Sequence, residues 1–140
     1  MAFDAGIGAV VFLVARLLFG GLLAFQGLNH FMNVDEMAGY AQSKGVPAAR
    51  MSVLFAGGML FFGGLGIALG VFPAVAAGAV ALFLLISTPM MHNFWAVPED
   101  QQQAEMTNFI KNIELLGATL VFLVLGTEPW AYALGIGLPV

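Results

Sequence analysis

Long apolar runs separated by short polar stretches dominate the chain. A membrane-spanning helix needs roughly 20 apolar residues, with about 17–25 tolerated. Four runs meet that length. The first is Ile7 to Leu28, interrupted by Arg16 and Gln26; the second is Val53 to Phe72, and the third Ala74 to Met91, both free of charge. Pro73 separates the second from the third and predicts a tight helical hairpin. The fourth covers about 109–126, with Lys111, Asn112 and Glu114 in its opening turns, and Glu128-Pro129 breaks the pattern. The remaining Trp130 to Val140 is apolar but too short to span; it is expected to extend the last helix or lie at the interface. No Lys or Arg precedes the first run, and its apolar stretch is too long for a cleavable signal.

Four spans place the two longer connections on one side. In Asn29 to Ser52, Val34, Met37, Tyr40 and Ala41 form an apolar stripe. Asn33 is the expected N-cap there, with Glu36 as its capping partner. Gly45 then suits a left-handed stop, with Pro47 after it. In Asn93 to Asn108, Pro98-Glu99-Asp100 reads as a helix start that runs into the fourth span. Both segments are expected to lie on the membrane surface. The predicted fold is therefore all-α: one integral membrane four-helix bundle over residues 1–140, with short interfacial helices in the first and third connections.

Composition sharpens this picture. Of 140 residues, 61% are hydrophobic and 9% charged, against about 25% charged in soluble domains. The absence of cysteine excludes disulfides, thiolate metal sites and thiol catalysis. Four Lys+Arg against eight Asp+Glu exclude a basic nucleic-acid surface. Lys44, Arg50 and Lys111 all fall on the side of the longer connections. By the positive-inside rule those connections are cytoplasmic and both termini outside. The expected location is the plasma membrane of a prokaryote.

The candidate chemistry lies in the polar residues within and beside the spans. Arg16 sits near the middle of the first span, where a charge costs about 2.5–3.5 kcal/mol on insertion scales. Arg16, Gly20, Leu23, Gly27 and His30 form one stripe. Glu114, the only acid inside a predicted span, is the expected partner of Arg16; the alternative has Arg16 on backbone carbonyls and Glu114 paired with Lys111. Gln26, Asn29, His30, His92, Asn93, Lys111 and Asn112 fall at span ends on the connection side. There, around Arg16 and Glu114, they can ring a polar ligand-binding pocket walled by Phe31, Phe94 and Trp95. Such a pocket suits a polar head group above an apolar tail, as in a quinone or lipid; interfacial anchoring is the plainer alternative. No HExxH or Glu-x-x-His spacing offers a metal site. Ser87-Thr88-Pro89 reads as a kink whose hydroxyls re-satisfy freed backbone. Small-xxx-small pairs at Gly20/Ala24, Gly66/Gly70 and Ala74/Gly78 mark helix contacts. With so small an interior, a homo-oligomer is also open.

Two span ends resemble each other: Gly27-Leu28-Asn29-His30-Phe31 and Met91-His92-Asn93-Phe94-Trp95. Together with Ala15-Arg16-Leu17-Leu18-Phe19-Gly20, Gly45-Val46-Pro47, Gly63-Gly64-Leu65 and Phe109-Ile110-Lys111-Asn112, they make the chain resemble the DoxX-like family of small four-helix membrane proteins. The resemblance runs along nearly the whole chain. It implies an accessory role: members include small subunits associated with a terminal quinol oxidase and a thiosulfate:quinone oxidoreductase, and partners of redox-defence enzymes. A distant similarity to surfeit-locus cargo receptors implies an adaptor role. The catalytic cysteine proposed for some redox roles has no counterpart here. The expectation is therefore a protein that binds or docks rather than one that catalyses alone, with quinone or lipid as ligand. Its partners would be membrane lipids and a soluble or membrane redox protein. A soluble enzyme recruited through the cytoplasmic helices, and a small oligomeric transporter, are the alternatives.

Overall fold

A computed structural model describes residues 1–137. Its helices are α1 (Gly6–Met32), α2 (Val34–Ser43), α3 (Ala49–Leu69), α4 (Pro73–Met91) and α5 (Glu99–Leu125), with a 3-10 turn at Phe94–Ala96 before α5. Four of these are long and apolar enough to cross a membrane. The chain is a multi-pass membrane four-helix bundle, with α2 beside it in the first connection. At 1.5 Å per residue, the 21 residues of α3 and 19 of α4 span about 31 and 28 Å, the thickness of the hydrocarbon core.

Sequence order largely gives spatial order: α1 packs on α3, α3 on α4, and α4 on α5. Phe19 of α1 stacks on Phe122 of α5 at 5.1 Å between ring centroids, which closes the ring of helices. Leu23, Leu60, Ile67, Ala77, Val80, Leu84 and Phe122 form the shared interior. The outer surface carries Leu18, Leu22, Phe25, Phe55, Phe62, Leu85, Val121 and many similar side chains. In water such a surface would aggregate; in a bilayer it is the lipid contact.

Helices in lipid hold together by close backbone approach rather than by a hydrophobic drive. Gly27 and Gly57 supply it between α1 and α3. A Cβ on Gly27 would lie 2.6 Å from the Gly57 carbonyl oxygen and 2.8 Å from Phe61 Cα. The expected α1 stripe is correct from Arg16 through Gly27, all four residues being buried. His30, at its end, is half-buried.

Local signals behave unevenly. Gly45 is left-handed at φ 82°, as its place after α2 requires. Pro98 precedes α5, which runs without a break from the connection through the span. Asn33 caps nothing with its side chain. Its amide instead donates to Asn29 Oδ1 at 2.6 Å, because Asn33 also ends α1 and the preceding turn is nearer. The Ser87 and Thr88 hydroxyls are buried without hydrogen-bond partners, so the expected repair of the Pro89 site is not made. Pro89 lies only two residues before the end of α4.

The segment after α5 does not extend that helix. It turns back over the α3–α4 hairpin. The Leu134 N–H donates to the Leu69 carbonyl, and the Phe72 N–H to the Ile136 carbonyl, each at 2.8 Å. Phe72 has φ 44°, a left-handed backbone that costs a non-glycine residue about 1–2 kcal/mol. Its bond to Ile136 helps hold that conformation. Residues 138–140 of the predicted tail lie outside the described residues.

Candidate functional site

Polar side chains gather at the two opposite ends of the bundle, not in one pocket. The first gathering is around Arg16. The guanidinium is fully buried, yet Glu114 is not its partner. Arg16 donates to the carbonyls of Ile67 (3.4 Å), Ala68 (3.1 Å), Ala131 (2.8 Å) and Tyr132 (3.1 Å). Trp130 and Phe12 lie over its charge at 5.1 and 5.6 Å. The expected Arg16–Glu114 pair is thus replaced by the carbonyl alternative, for a geometric reason. Arg16 is level with the last turn of α3, whose end carbonyls lack intrahelical donors. All four of these are met. Gly66 accepts from Gly70 and Val71, Leu69 accepts from Leu134, and Ile67 and Ala68 accept from Arg16. Five donors in a planar fork suit a guanidinium to this task.

The second gathering is on the connection side. Fourteen residues of α1 separate Arg16 from His30, about 21 Å along the axis. Here Lys44, just past α2, places Nζ 3.1 Å from Asn93 Oδ1 and 3.5 Å from Glu105 Oε2. His92 Nδ1 lies 3.6 Å from the same carboxylate oxygen. That is beyond hydrogen-bond length, so His92 Nδ1 is buried with no hydrogen-bond partner. The Lys44 and Glu105 side chains are only 13% and 12% exposed. Phe94, Trp95 and Phe109 form an edge-to-face triad beside the cluster, with centroids 5.2–5.9 Å apart. Lys44 also lies 5.8 Å from the Tyr40 ring.

Of the residues expected to ring one pocket, only His92 and Asn93 join this cluster. His30 Nδ1 bonds the Gln26 carbonyl at 2.8 Å within its own helix and faces Phe83. Gln26 and Asn29 are exposed, and Asn29 holds Asn33. Phe31 packs on Phe61 of α3 rather than with Phe94 and Trp95. Asn112 is half-buried, and Lys111 and Glu114 are exposed on the outside of α5. Lys111 and Glu114 form no ion pair with each other or with Arg16; among the described residues neither pairs with anything.

Glu105 and Lys44 are the members that sequence reasoning missed as site residues. A signal for Glu105 was present. Glu105, Asn112 and Thr119 repeat every seven residues, and Thr119 and Phe122 mark the buried face of α5. Lys44 carried no such mark, since α2 ends before it and only the turn to Gly45 brings it inward.

Chemically, the cluster offers an ammonium with spare hydrogens, a carboxylate and an imidazole within a few ångströms. It can donate to one oxygen of a ligand and accept from another. Among the described residues no three His, Asp or Glu side chains converge on a metal-sized point.

The sequence pattern of the DoxX family matches residues 11–93. The chain belongs to the DoxX family. The match runs from within α1 to the end of α4 and closes on His92-Asn93, so it includes Arg16 and every member of the connection-side cluster except Glu105. A relative, the "Inner membrane protein YphA" of Escherichia coli (strain K12), is 27% identical over 125 residues, 89% of each chain. No solved structure matches the chain.

Proposed function

We propose that this DoxX protein is a non-catalytic subunit or accessory protein of a quinone-linked or redox-defence system in the plasma membrane. It holds the head group of a quinone or lipid at the cluster of Lys44, His92, Asn93 and Glu105. The observation that carries this reading is the buried, unpartnered His92 Nδ1 beside a buried ammonium and carboxylate. A buried polar atom left unpaired costs free energy, and a ligand oxygen at this point would satisfy it. The triad of Phe94, Trp95 and Phe109 supplies an aromatic wall for a ring. Of the residues expected from sequence to bind, His92 and Asn93 keep that role here. Arg16, Gln26, His30, Lys111, Asn112 and Glu114 do not join this cluster and are assigned none.

Native mass spectrometry in lipid nanodiscs tests the proposal, with a short-chain benzoquinone and phosphatidylglycerol supplied separately. Retention of either, lost by about tenfold (~1.4 kcal/mol) in Glu105→Gln and in His92→Phe, is the expected result. Equal retention by both variants and by the native protein rules the site out.

A second reading is an adaptor for a soluble partner. It is favoured by the exposed acidic helix starts Asp35-Glu36 and Glu99-Asp100, which would meet a basic surface. Pull-down from gently solubilised membranes, with those four acids changed to Asn or Gln, separates it from the first.

A further inference from the structure

The guanidinium of Arg16 has two edges, and a pair of successive carbonyls holds each. Nε and Nη2 donate to Ile67 and Ala68 of α3, at 3.4 and 3.1 Å. Nη1 and Nη2 donate to Ala131 and Tyr132 of the tail, at 2.8 and 3.1 Å. One oxygen on each of two guanidinium nitrogens is how a carboxylate or a phosphate meets arginine. The tail carbonyls therefore stand where the two oxygens of an anion would. They bring dipoles but no charge. Arg16 is fully buried, and among the described residues it pairs with no carboxylate. A buried charge is best offset by an opposite one.

The two edges are not held equally. Ile67 and Ala68 are buried and fixed within α3. The tail is a thin strap. Tyr132, Leu134 and Ile136 are each more than half exposed. Besides the Arg16 bonds, two backbone bonds to the α3–α4 hairpin hold it, and Ala133 rests on Gly70. Tyr132 has φ 51°, a left-handed backbone that costs a non-glycine residue about 1–2 kcal/mol. A strained segment with few buried side chains opens at low cost. Trp130 is tied separately to α5, its Nε1 donating to the Leu125 carbonyl at 2.8 Å, so the strap hinges after it. α3 spans the hydrocarbon core, so its last turn, and Arg16 beside it, stand at the membrane surface opposite the connections.

We infer that the strap covers a phosphate site on Arg16. When the strap lifts, two phosphate oxygens take the places of the Ala131 and Tyr132 carbonyls on Nη1 and Nη2. The Ile67 and Ala68 carbonyls keep the other edge, and Phe12 and Trp130 stay over the guanidinium. The phosphate adds the negative charge that the strap lacks. A phospholipid head group and free phosphate share this chemistry. The site lies at the opposite end of the bundle from Lys44 and Glu105 and is independent of the head-group proposal.

The Leu134 amide, bonded to the Leu69 carbonyl, reports on the strap by hydrogen exchange. A ligand that binds only the open strap must raise the open fraction. In maltoside micelles, which contain no phosphate, the native protein is given phosphatidylglycerol or inorganic phosphate. One of them is expected to speed Leu134 exchange about tenfold; which one does so identifies the source. Tyr132→Pro cannot adopt the left-handed turn and should open the strap. By native mass spectrometry it should retain that phosphate about tenfold better than the native protein. Tyr132→Asn takes the turn more readily and should weaken the response. Adding Arg16→Met to Tyr132→Pro should abolish the gain. Retention that survives Arg16→Met, or Leu134 exchange that neither form of phosphate speeds, overturns the proposal. The exchange comparison needs no variant, so it stands even if Tyr132→Pro fails to insert.

Discussion

Replacing Arg16 with methionine keeps most of the apolar stem and removes the guanidinium. Three of its four bonds are 3.1 Å or shorter. At roughly 1.5–3 kcal/mol for a hydrogen bond to a charged group, they set an upper bound of about 5–9 kcal/mol. The actual loss is smaller because the tail can leave. Once released, the Ala131 and Tyr132 carbonyls find water or head groups. Only the Ile67 and Ala68 carbonyls at the end of α3 stay buried. At about 1–3 kcal/mol each, the expected destabilisation is about 2–6 kcal/mol. Release should be visible by hydrogen exchange. The Leu134 and Phe72 amides donate across the tail–hairpin seam and should lose protection together, while amides in the middle of α4 keep theirs. Arg16→Lys should fall between, since one ammonium cannot fork to carbonyls from two segments. Glu114→Gln should leave both amides unchanged. Undiminished protection of Leu134 and Phe72 in Arg16→Met would refute the assignment of Arg16 as the tie between α3 and the tail.

Three further outcomes are expected. Gly27→Ala places a methyl against α3 backbone and should cost about 1–3 kcal/mol, read as a lower Tm in detergent, whereas Gly21→Ala, with open space around it, should not lower Tm. Glu105→Ala strands Lys44 and should cost about 1–3 kcal/mol; in a double-mutant cycle, Lys44→Met with Glu105→Leu should recover much of it, because no buried charge is left unpaired. Arg50→Ala removes the Arg50–Asp35 ion pair, but both side chains are more than half exposed, so the thermal midpoint should shift by no more than about 1 kcal/mol of stability.

The spans were legible because each depends only on its own residues: length, apolarity, and punctuation at Pro73 and Pro98. The buried stripe on α1 was legible too, since helical period alone puts Arg16, Gly20, Leu23 and Gly27 on one side. The partners of the polar residues were not. Counting residues put Arg16 in the middle of its own helix and Glu114 at a comparable depth. Helix register instead puts Arg16 level with the end of α3, and the rotation of α5 turns Glu114 outward.

Sequence by itself determined that this is a membrane bundle of four helices, with most of its polar side chains near the span ends. It could do so because hydropathy and helical period are local properties. Only the tertiary structure decided that Arg16 ties the tail to α3, that Lys44 and Glu105 meet beside His92, and that Glu114 faces away. Each of those depends on how one helix is rotated and slid against another. A residue's own neighbours in the chain carry no record of that.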